Sequence, residues 1–173
     1  MADSRNKGAS FERKIAGMLH DETGITFRRN LKQYQQRDCS DLTPDDAAWP
    51  FSMELKAYAS GTDCRPAWEA QAKTAAANEG RLPVVIWKFD RSPIRCRIWV
   101  DALNAAGGSF AADLGSFDIG LPQLCALARE IMARRSEEQK PGSIQPDQGL
   151  LSRCAPASTE QQQQSEVAKE QTL

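Results

Sequence analysis

The sequence predicts one mixed α/β domain, in which helices flank a mixed sheet, followed by a polar tail. Apolar and polar residues alternate through Phe51–Tyr58, as they do in a half-buried strand. Apolar residues recur with helical spacing near the N-terminus and again after Pro122. The length of 173 residues and the 40% hydrophobic content suffice for one core of ordinary size.

The N-terminal part predicts a helix followed by two short extended segments. Phe11, Ile15 and Leu19 share one helical face, and Gly24 lies beyond the end of a helix over residues 9–22. Residues 25–29 then form a strand, and a short edge strand or bend around Asp41 is expected to pair with the strand at 51–58.

The remaining elements follow from proline, glycine and apolar runs. Pro66 suits the first turn of a second helix that ends near Gly80. The apolar segment Leu82–Phe89 and the alternating residues 94–100 form a hairpin. With a last helix from Pro122, the order is α-β-β-β-α-β-β-α. We expect the domain to occupy residues 1–135 and the Gln-, Glu- and Ser-rich residues 136–173 to form a disordered tail.

Charge and composition exclude several classes of site. The formal net charge is −1, but residues 28–37 contain four basic side chains and no carboxylate, so positive charge is local. No two of the five cysteines have the C-x-x-C spacing of zinc and redox sites. The single histidine, His20, excludes a histidine-rich metal site. No apolar run is long enough to span a bilayer, and we expect a cytoplasmic protein.

The pair Glu54 and Lys56 is the first candidate for chemistry. Side chains two residues apart project from the same face of a strand. A carboxylate beside an ammonium suits phosphodiester hydrolysis, because the first holds a divalent cation and the second orients the attacking water. An exposed ion pair is the alternative interpretation, and the spacing alone favours it.

Three further positions extend this pair. Asp41 precedes Glu54 by 13 positions and, with Glu54, supplies the oxygen ligands that magnesium prefers. Glu12 borders the buried face of the first helix, where it either reaches the site or pairs with Arg13 or Lys14. Gln71 is an accessory polar contact or a surface residue. The acids that compete with Asp41, which are otherwise solvated turn residues, are Asp38, Asp45 and Asp46.

An ordered set of short motifs carries a resemblance to a known family. The motifs are Arg5-Asn-Lys-Gly8, Phe11-Glu12-Arg13, Arg28-Arg29-Asn30, Asp41-Leu42 and Phe51-Ser-Met-Glu-Leu-Lys56. Together they resemble the Holliday junction resolvase branch of the PD-(D/E)XK nucleases, above all its small phage-encoded members, over residues 5–100. Cys39 and Ser40 depart from the pattern, because the phage members tend to have glycines before the aspartate.

The resemblance implies a restriction-endonuclease-like core and a metal-dependent DNA endonuclease. It implies that Glu12, Asp41 and Glu54 bind metal, with Lys56 as the fourth catalytic residue. Mg(II) is the expected cofactor, and Mn(II) is expected to substitute. It also implies a homodimer and a branched DNA substrate, such as a four-way junction. The basic residues expected to bind DNA phosphates are Arg28, Arg29, Lys32 and Arg37.

Two alternatives remain open on sequence alone. One is a DNA-binding protein that keeps the nuclease fold without catalysis, and the other is a nuclease of the same fold that attacks linear duplex. Three tryptophans, Trp68, Trp87 and Trp99, are spaced for packing in a core or a dimer interface. Trp49, which precedes Pro50 in a predicted loop, is the tryptophan expected to touch DNA.

Overall fold

A computed structural model describes residues 2–30 and 39–138 of the chain, and it confirms the predicted mixed α/β class. The helices are α1 (Ala2–Thr23), α2 (Pro66–Glu79), α3 (Val100–Ala105) and α4 (Leu121–Glu138), with one 3₁₀ turn at Ala112–Leu114. The strands are β1 (Phe27–Arg29), β2 (Leu42–Pro44), β3 (Phe51–Tyr58), β4 (Leu82–Phe89), β5 (Arg95–Trp99) and β6 (Ser116–Ile119).

The main sheet has four strands in the order β3-β4-β5-β6. The β3 and β4 strands are parallel and joined through α2, whereas β4 with β5 and β5 with β6 are antiparallel. The sheet is therefore mixed, and the predicted hairpin between β4 and β5 is confirmed. The β1 and β2 strands pair antiparallel with each other in a separate two-stranded sheet.

Two apolar clusters lie on the two faces of the main sheet. The larger cluster joins α1 and α4 to the β3 side chains Phe51, Met53 and Leu55, which are buried as the alternation predicts. The smaller cluster lies under α2 and contains the three tryptophans that were predicted to pack. The polar face of β3 points toward α2, so the helix and the strand together enclose Glu54 and Lys56.

Trp49 is a correction to the sequence-based prediction. Its side chain is buried, and it packs edge-on against Phe27 at 4.9 Å and against Phe51 at 6.1 Å between ring centroids. The proline that follows Trp49 suggested an exposed loop. However, Trp49 closes the core where the two sheets meet, so it is not available to contact DNA.

Several boundaries also differ from prediction. The first helix begins at Ala2, seven residues before the predicted start, and ends at Gly24, whose φ is 75° and whose N–H donates to His20 O at 2.7 Å. The prediction contained neither α3 nor β6, which are short and separated by the Gly107-Gly108 pair. The last helix continues to Glu138, and the rest of the predicted tail lies outside the described residues.

Among the helices described, none combines the length and apolar character needed to cross a membrane.

Candidate active site

The polar face of β3 carries Glu54 and Lys56 beneath α2. Glu54 is only 1% exposed, although it is a charged residue type. The Lys56 ammonium forms an ion pair with Glu54 and donates a hydrogen bond to Gln71 Oε1 of α2 at 3.2 Å. The alternative of an exposed ion pair is thus wrong, because the carboxylate of the pair is buried. Gln71 contacts Lys56 directly.

Asp41 is fixed against β3 by hydrogen bonds on both sides of Glu54. Its backbone N–H donates to Met53 O at 2.8 Å, and its Oδ2 accepts from Leu55 N at 2.6 Å. Its carbonyl accepts from Asn30 N at 2.9 Å, which extends the pairing of β1 with β2 by one residue. Asp41 therefore lies where the two sheets join. Its segment contacts β3 as expected, but the adjacent strand β2 pairs with β1 and not with the strand at 51–58.

The residue before Asp41 is anchored by α2. Ser40 N donates to Glu79 Oε1 at 2.8 Å, and Ser40 Oγ donates to Leu42 O at 3.1 Å. Ser40 is buried and polar, so these bonds satisfy its backbone and hydroxyl groups. Ser40, which departs from the resembled pattern, thus has partners that hold the Asp41 segment in place. Glu79, at the end of α2, was not singled out in the sequence, because no local pattern links it to residue 40.

Burial dominates the electrostatics of the two carboxylates. Burial, followed by the repulsion of the Glu54 carboxylate, raises the pKa of Asp41 to about 7. Burial also raises the pKa of Glu54, and the Lys56 ammonium only partly offsets it. Glu12 lies close enough to add a smaller upward shift to the pKa of each group. Burial therefore favours the protonated forms of both carboxyl groups, and a further cation beside them would favour the charged forms.

The donor set fits a hard divalent cation. Both Glu54 carboxylate oxygens are buried. Oε1 faces the Lys56 ammonium in the ion pair, whereas Oε2 has no hydrogen-bond partner within the described part of the chain. Buried acceptors of this kind require an explanation, and a metal ion is one. Within residues 2–30 and 39–138, no group of three or more His, Cys, Asp or Glu side chains is placed so that it could hold a metal ion. An ion held by one or two carboxylates plus water and phosphate, as magnesium usually is, does not need such a group.

Glu12 pairs across the fold instead of along its own helix. Its carboxylate, 12% exposed, forms an ion pair with Arg29 of β1. The predicted alternative of pairing with Arg13 or Lys14 is therefore wrong. The pair connects α1 to β1 beside Asp41, which explains how Glu12 acts on the pKa of both site carboxylates.

The predicted DNA-binding residues differ in their placement. Arg28 is exposed on β1. Arg29 is half-buried and forms an ion pair with Glu12. To bind a DNA phosphate, its guanidinium would have to contact the phosphate and the Glu12 carboxylate together, or leave the carboxylate. Lys32 and Arg37 lie outside the described residues. A pocket beside α1 is lined by Lys7, Lys14 and Lys88, and also by Asp90, which forms an ion pair with Lys7.

The acids that competed with Asp41 have other partners. Asp45 Oδ1 accepts from Thr26 N at 3.0 Å, and Asp46 Oδ1 accepts from Ala48 N at 2.8 Å. Asp46 therefore stabilises its own turn, as the alternative interpretation predicted, whereas Asp45 links that turn to the backbone just before β1. Asp38 lies outside the described residues.

Comparisons with known proteins identify a protein family and solved structures that this chain resembles. The family model described as "Phage putative PDDEXK endonuclease" matches residues 3–107. The solved structure of Hjc, a Holliday junction resolvase from the archaeal hyperthermophile Archaeoglobus fulgidus, shares 18% identity at a TM-score of 0.42. That similarity covers 73% of this chain and 96% of the other, and it is too weak to assign a function. No curated protein matches the sequence.

Proposed function

The chain belongs to the phage PDDEXK endonuclease family, and from this membership we propose that it is a magnesium-dependent endonuclease that cuts branched DNA. Its catalytic residues would be Glu12, Asp41, Glu54 and Lys56. The observation that carries the proposal is the placement of two buried carboxylates, Asp41 and Glu54, beside the Lys56 ammonium. The membership agrees with the resemblance found in the sequence motifs.

Asp41 and Glu54 are the proposed metal ligands, and Glu12 is a third, direct or through water. When bound, a Mg(II) ion supplies Lewis-acid stabilisation of the negative charge that develops on the phosphate. Mn(II) is expected to substitute, because the same oxygen donors suit it. The Leu55 N–H and the Met53 carbonyl hold Asp41 rigidly, so its carboxylate is positioned before substrate arrives.

Lys56 is proposed to orient the attacking water and to stabilise the phosphate charge. The hydrogen bond to Gln71 restricts the ammonium to the side of β3 that faces α2. Water would attack phosphorus in line and lose a proton as the new P–O bond forms. The bond from phosphorus to the leaving sugar oxygen would break, and that oxygen would take up a proton, so the two proton transfers balance. Arg28, with Lys32 and Arg37 of the same segment, is proposed to bind backbone phosphates on the β1 side of the site.

We further propose that the substrate is branched DNA, that the enzyme is a homodimer and that it acts in the cytoplasm of the host. A four-way junction has pairs of equivalent strands, and paired cuts need two active sites in one complex. A homodimer meets this need by symmetry. The mass of the protein in solution, alone and with junction, tests the dimer.

Cleavage of a labelled four-way junction, a flap and a linear duplex, each with Mg(II) or with EDTA, tests the proposed function. We expect magnesium-dependent nicking of the branched substrates and little of the linear duplex. Equal cutting of all three substrates would support the proposed nuclease activity and contradict the proposed preference for branched DNA. Binding without any cutting, with Mg(II) or with Mn(II), would favour a DNA-binding protein that lacks catalysis.

A further inference from the structure

An aromatic stack continues the line of site residues along β3. Glu54, Lys56 and Tyr58 occupy alternate positions, so they project from one face of the strand. Tyr58 is 39% exposed and stacks on Trp68 of α2, with ring centroids 5.1 Å apart and an interplanar angle of 19°. Lys56 contacts α2 at Gln71, one turn further along the helix, so α2 runs antiparallel to β3 here.

Arg65 lies on this stack. Its guanidinium carbon is 4.8 Å from the Tyr58 ring centroid and 5.1 Å from that of Trp68. Both distances are within the range of cation–π attraction. Arg65 is exposed, and no carboxylate among the described residues forms an ion pair with it. Its charge is therefore held at a fixed place and is open to an anion.

The backbone that carries Arg65 is fixed at three points. Arg65 is the N-cap residue of α2, and Pro66 restricts it to the extended conformation observed, φ −88° and ψ 141°. Gly61, at φ 156°, lies against the Phe89 ring so closely that a Cβ would be 2.2 Å from a ring carbon. Asp63 Oδ1 accepts from Arg97 Nη2 at 2.7 Å. These contacts fix the loop between β3 and α2, so little freedom is lost when Arg65 binds a ligand.

We propose that Arg65, held on the Tyr58 and Trp68 rings, binds a backbone phosphate of the DNA and so positions the strand across Glu54 and Lys56. This inference rests on the proposed function. Four residues of strand separate Glu54 from Tyr58, which is roughly 13 Å. The rise per nucleotide along one strand of duplex is about 3.4 Å. The bound phosphate therefore lies a few nucleotides from the bond that is cut. Arg65 is a positioning residue, because it does not touch the reacting atoms.

The test compares the salt dependence of DNA binding by wild type, Arg65→Gln and Arg65→Lys, using the full chain and a labelled four-way junction in EDTA. Loss of one phosphate contact lowers the slope of log affinity against log salt by about 0.9. We expect this decrease for Arg65→Gln, with binding roughly tenfold weaker at low salt. Arg65→Lys should retain the slope. Arg134→Ala, which removes an exposed arginine paired with Glu130 on α4, is the matched control and should change neither value.

A structural role for Arg65 would lower the thermal stability of Arg65→Gln and leave the salt slope unchanged, which would overturn the inference. An equal loss of slope in Arg65→Gln and Arg134→Ala would also overturn it, because the effect would then be one of overall charge. Cleavage by wild type in Mg(II) separates the two proposals. If wild type cuts DNA and the slope of Arg65→Gln is unchanged, only this inference fails. If wild type neither binds nor cuts DNA, both fail.

Discussion

Asp41 binds the backbone of β3 on both sides of Glu54, with its N–H on the preceding residue and its carboxylate on the following one. One main-chain bond and one side-chain bond to β3 therefore hold the Asp41 carboxylate beside Glu54. Both are buried, so their mutual repulsion is weakly screened. The arrangement stores an unfavourable interaction that a bound cation would remove, and the following predictions depend on it.

Magnesium should stabilise the folded protein at alkaline pH. A ligand that binds only the folded state stabilises it by about 2.7 kcal/mol at a hundred times its Kd. We therefore expect Mg(II) to raise the Tm of wild type at pH 8, measured by calorimetry without DNA. Glu54→Gln should abolish the rise. Glu130→Gln, at an exposed acid of α4, should respond as wild type does. An equal rise in Glu54→Gln would show that the ion binds elsewhere.

The stability of the protein should fall as pH rises from about 4 to about 7. The Asp41 pKa is about 7 in the folded protein, against 3.8 for an unperturbed aspartate, so between these values only the folded chain holds the proton. The free energy of unfolding then decreases with pH, by at most about 1.4 kcal/mol per pH unit from this group, and levels off above pH 7.

Asp41→Asn removes this titration and can still accept the Leu55 hydrogen bond. Urea unfolding in EDTA from pH 5 to pH 8 should show a smaller decrease in stability for Asp41→Asn than for wild type. Asp21→Asn, at an exposed position on α1, should show the same decrease in the free energy of unfolding with pH as wild type. Parallel curves for wild type and Asp41→Asn would mean that Asp41 is not protonated at neutral pH.

Gln71→Ala should slow cutting without weakening DNA binding. Gln71 holds the Lys56 ammonium through one hydrogen bond, which is worth about 1 kcal/mol, so a fall in kcat of roughly fivefold to tenfold is expected. Single-turnover cleavage gives the rate, and binding in EDTA gives the affinity. Thr74→Ala, one turn further on the exposed side of α2, is the control. A decrease in affinity with an unchanged rate would assign Gln71 to DNA binding instead.

Arg97 should contribute more to the free energy of unfolding than the exposed arginines of the protein do. It bonds to Asp118 on the neighbouring strand β6, to Glu69 of α2 and to Asp63, and its guanidinium lies over Trp87. Only 15% of its side chain is exposed. Arg97→Ala should lower the free energy of unfolding by about 3 kcal/mol, because it leaves three carboxylates without their shared cation.

Arg95→Ala is the matched comparison, measured by the same urea unfolding. Arg95 is on the same strand, is 53% exposed, and approaches Asp118 only to 3.9 Å. A surface pair of this kind contributes less than about 1 kcal/mol. Similar losses in the two variants would contradict a structural role for the Arg97 network.

The sequence predicted those elements whose patterns are local. The bounds of β3 and β4 and the start of α2 follow from alternation, from an apolar run and from Pro66, and the structure has them as predicted. The pairing of Glu54 with Lys56 on one face follows from strand geometry alone. By contrast, α3 and β6 are too short for their period to be recognised, and the glycines between them suggest only a loop.

The tertiary contacts of the site could not be predicted from spacing. Glu12 and Arg29 are 17 positions apart, and Ser40 and Glu79 are 39 apart, so no periodicity relates them. The burial of Trp49 depends on how the two sheets meet. Arg65 and Tyr58 are separated by a loop whose path is set by Gly61 against Phe89, a contact that appears only once β4 lies beside β3.

The most direct test of the account is cleavage of a labelled four-way junction in Mg(II) by wild type and Glu54→Gln side by side, with folding of both checked by circular dichroism. Glu54→Gln removes one charge from a buried carboxylate and preserves its size. We expect wild type to nick the junction, and the variant to bind it equally well and cut at least about a hundredfold more slowly. Equal cutting by a folded Glu54→Gln would contradict the assignment of the active site to β3.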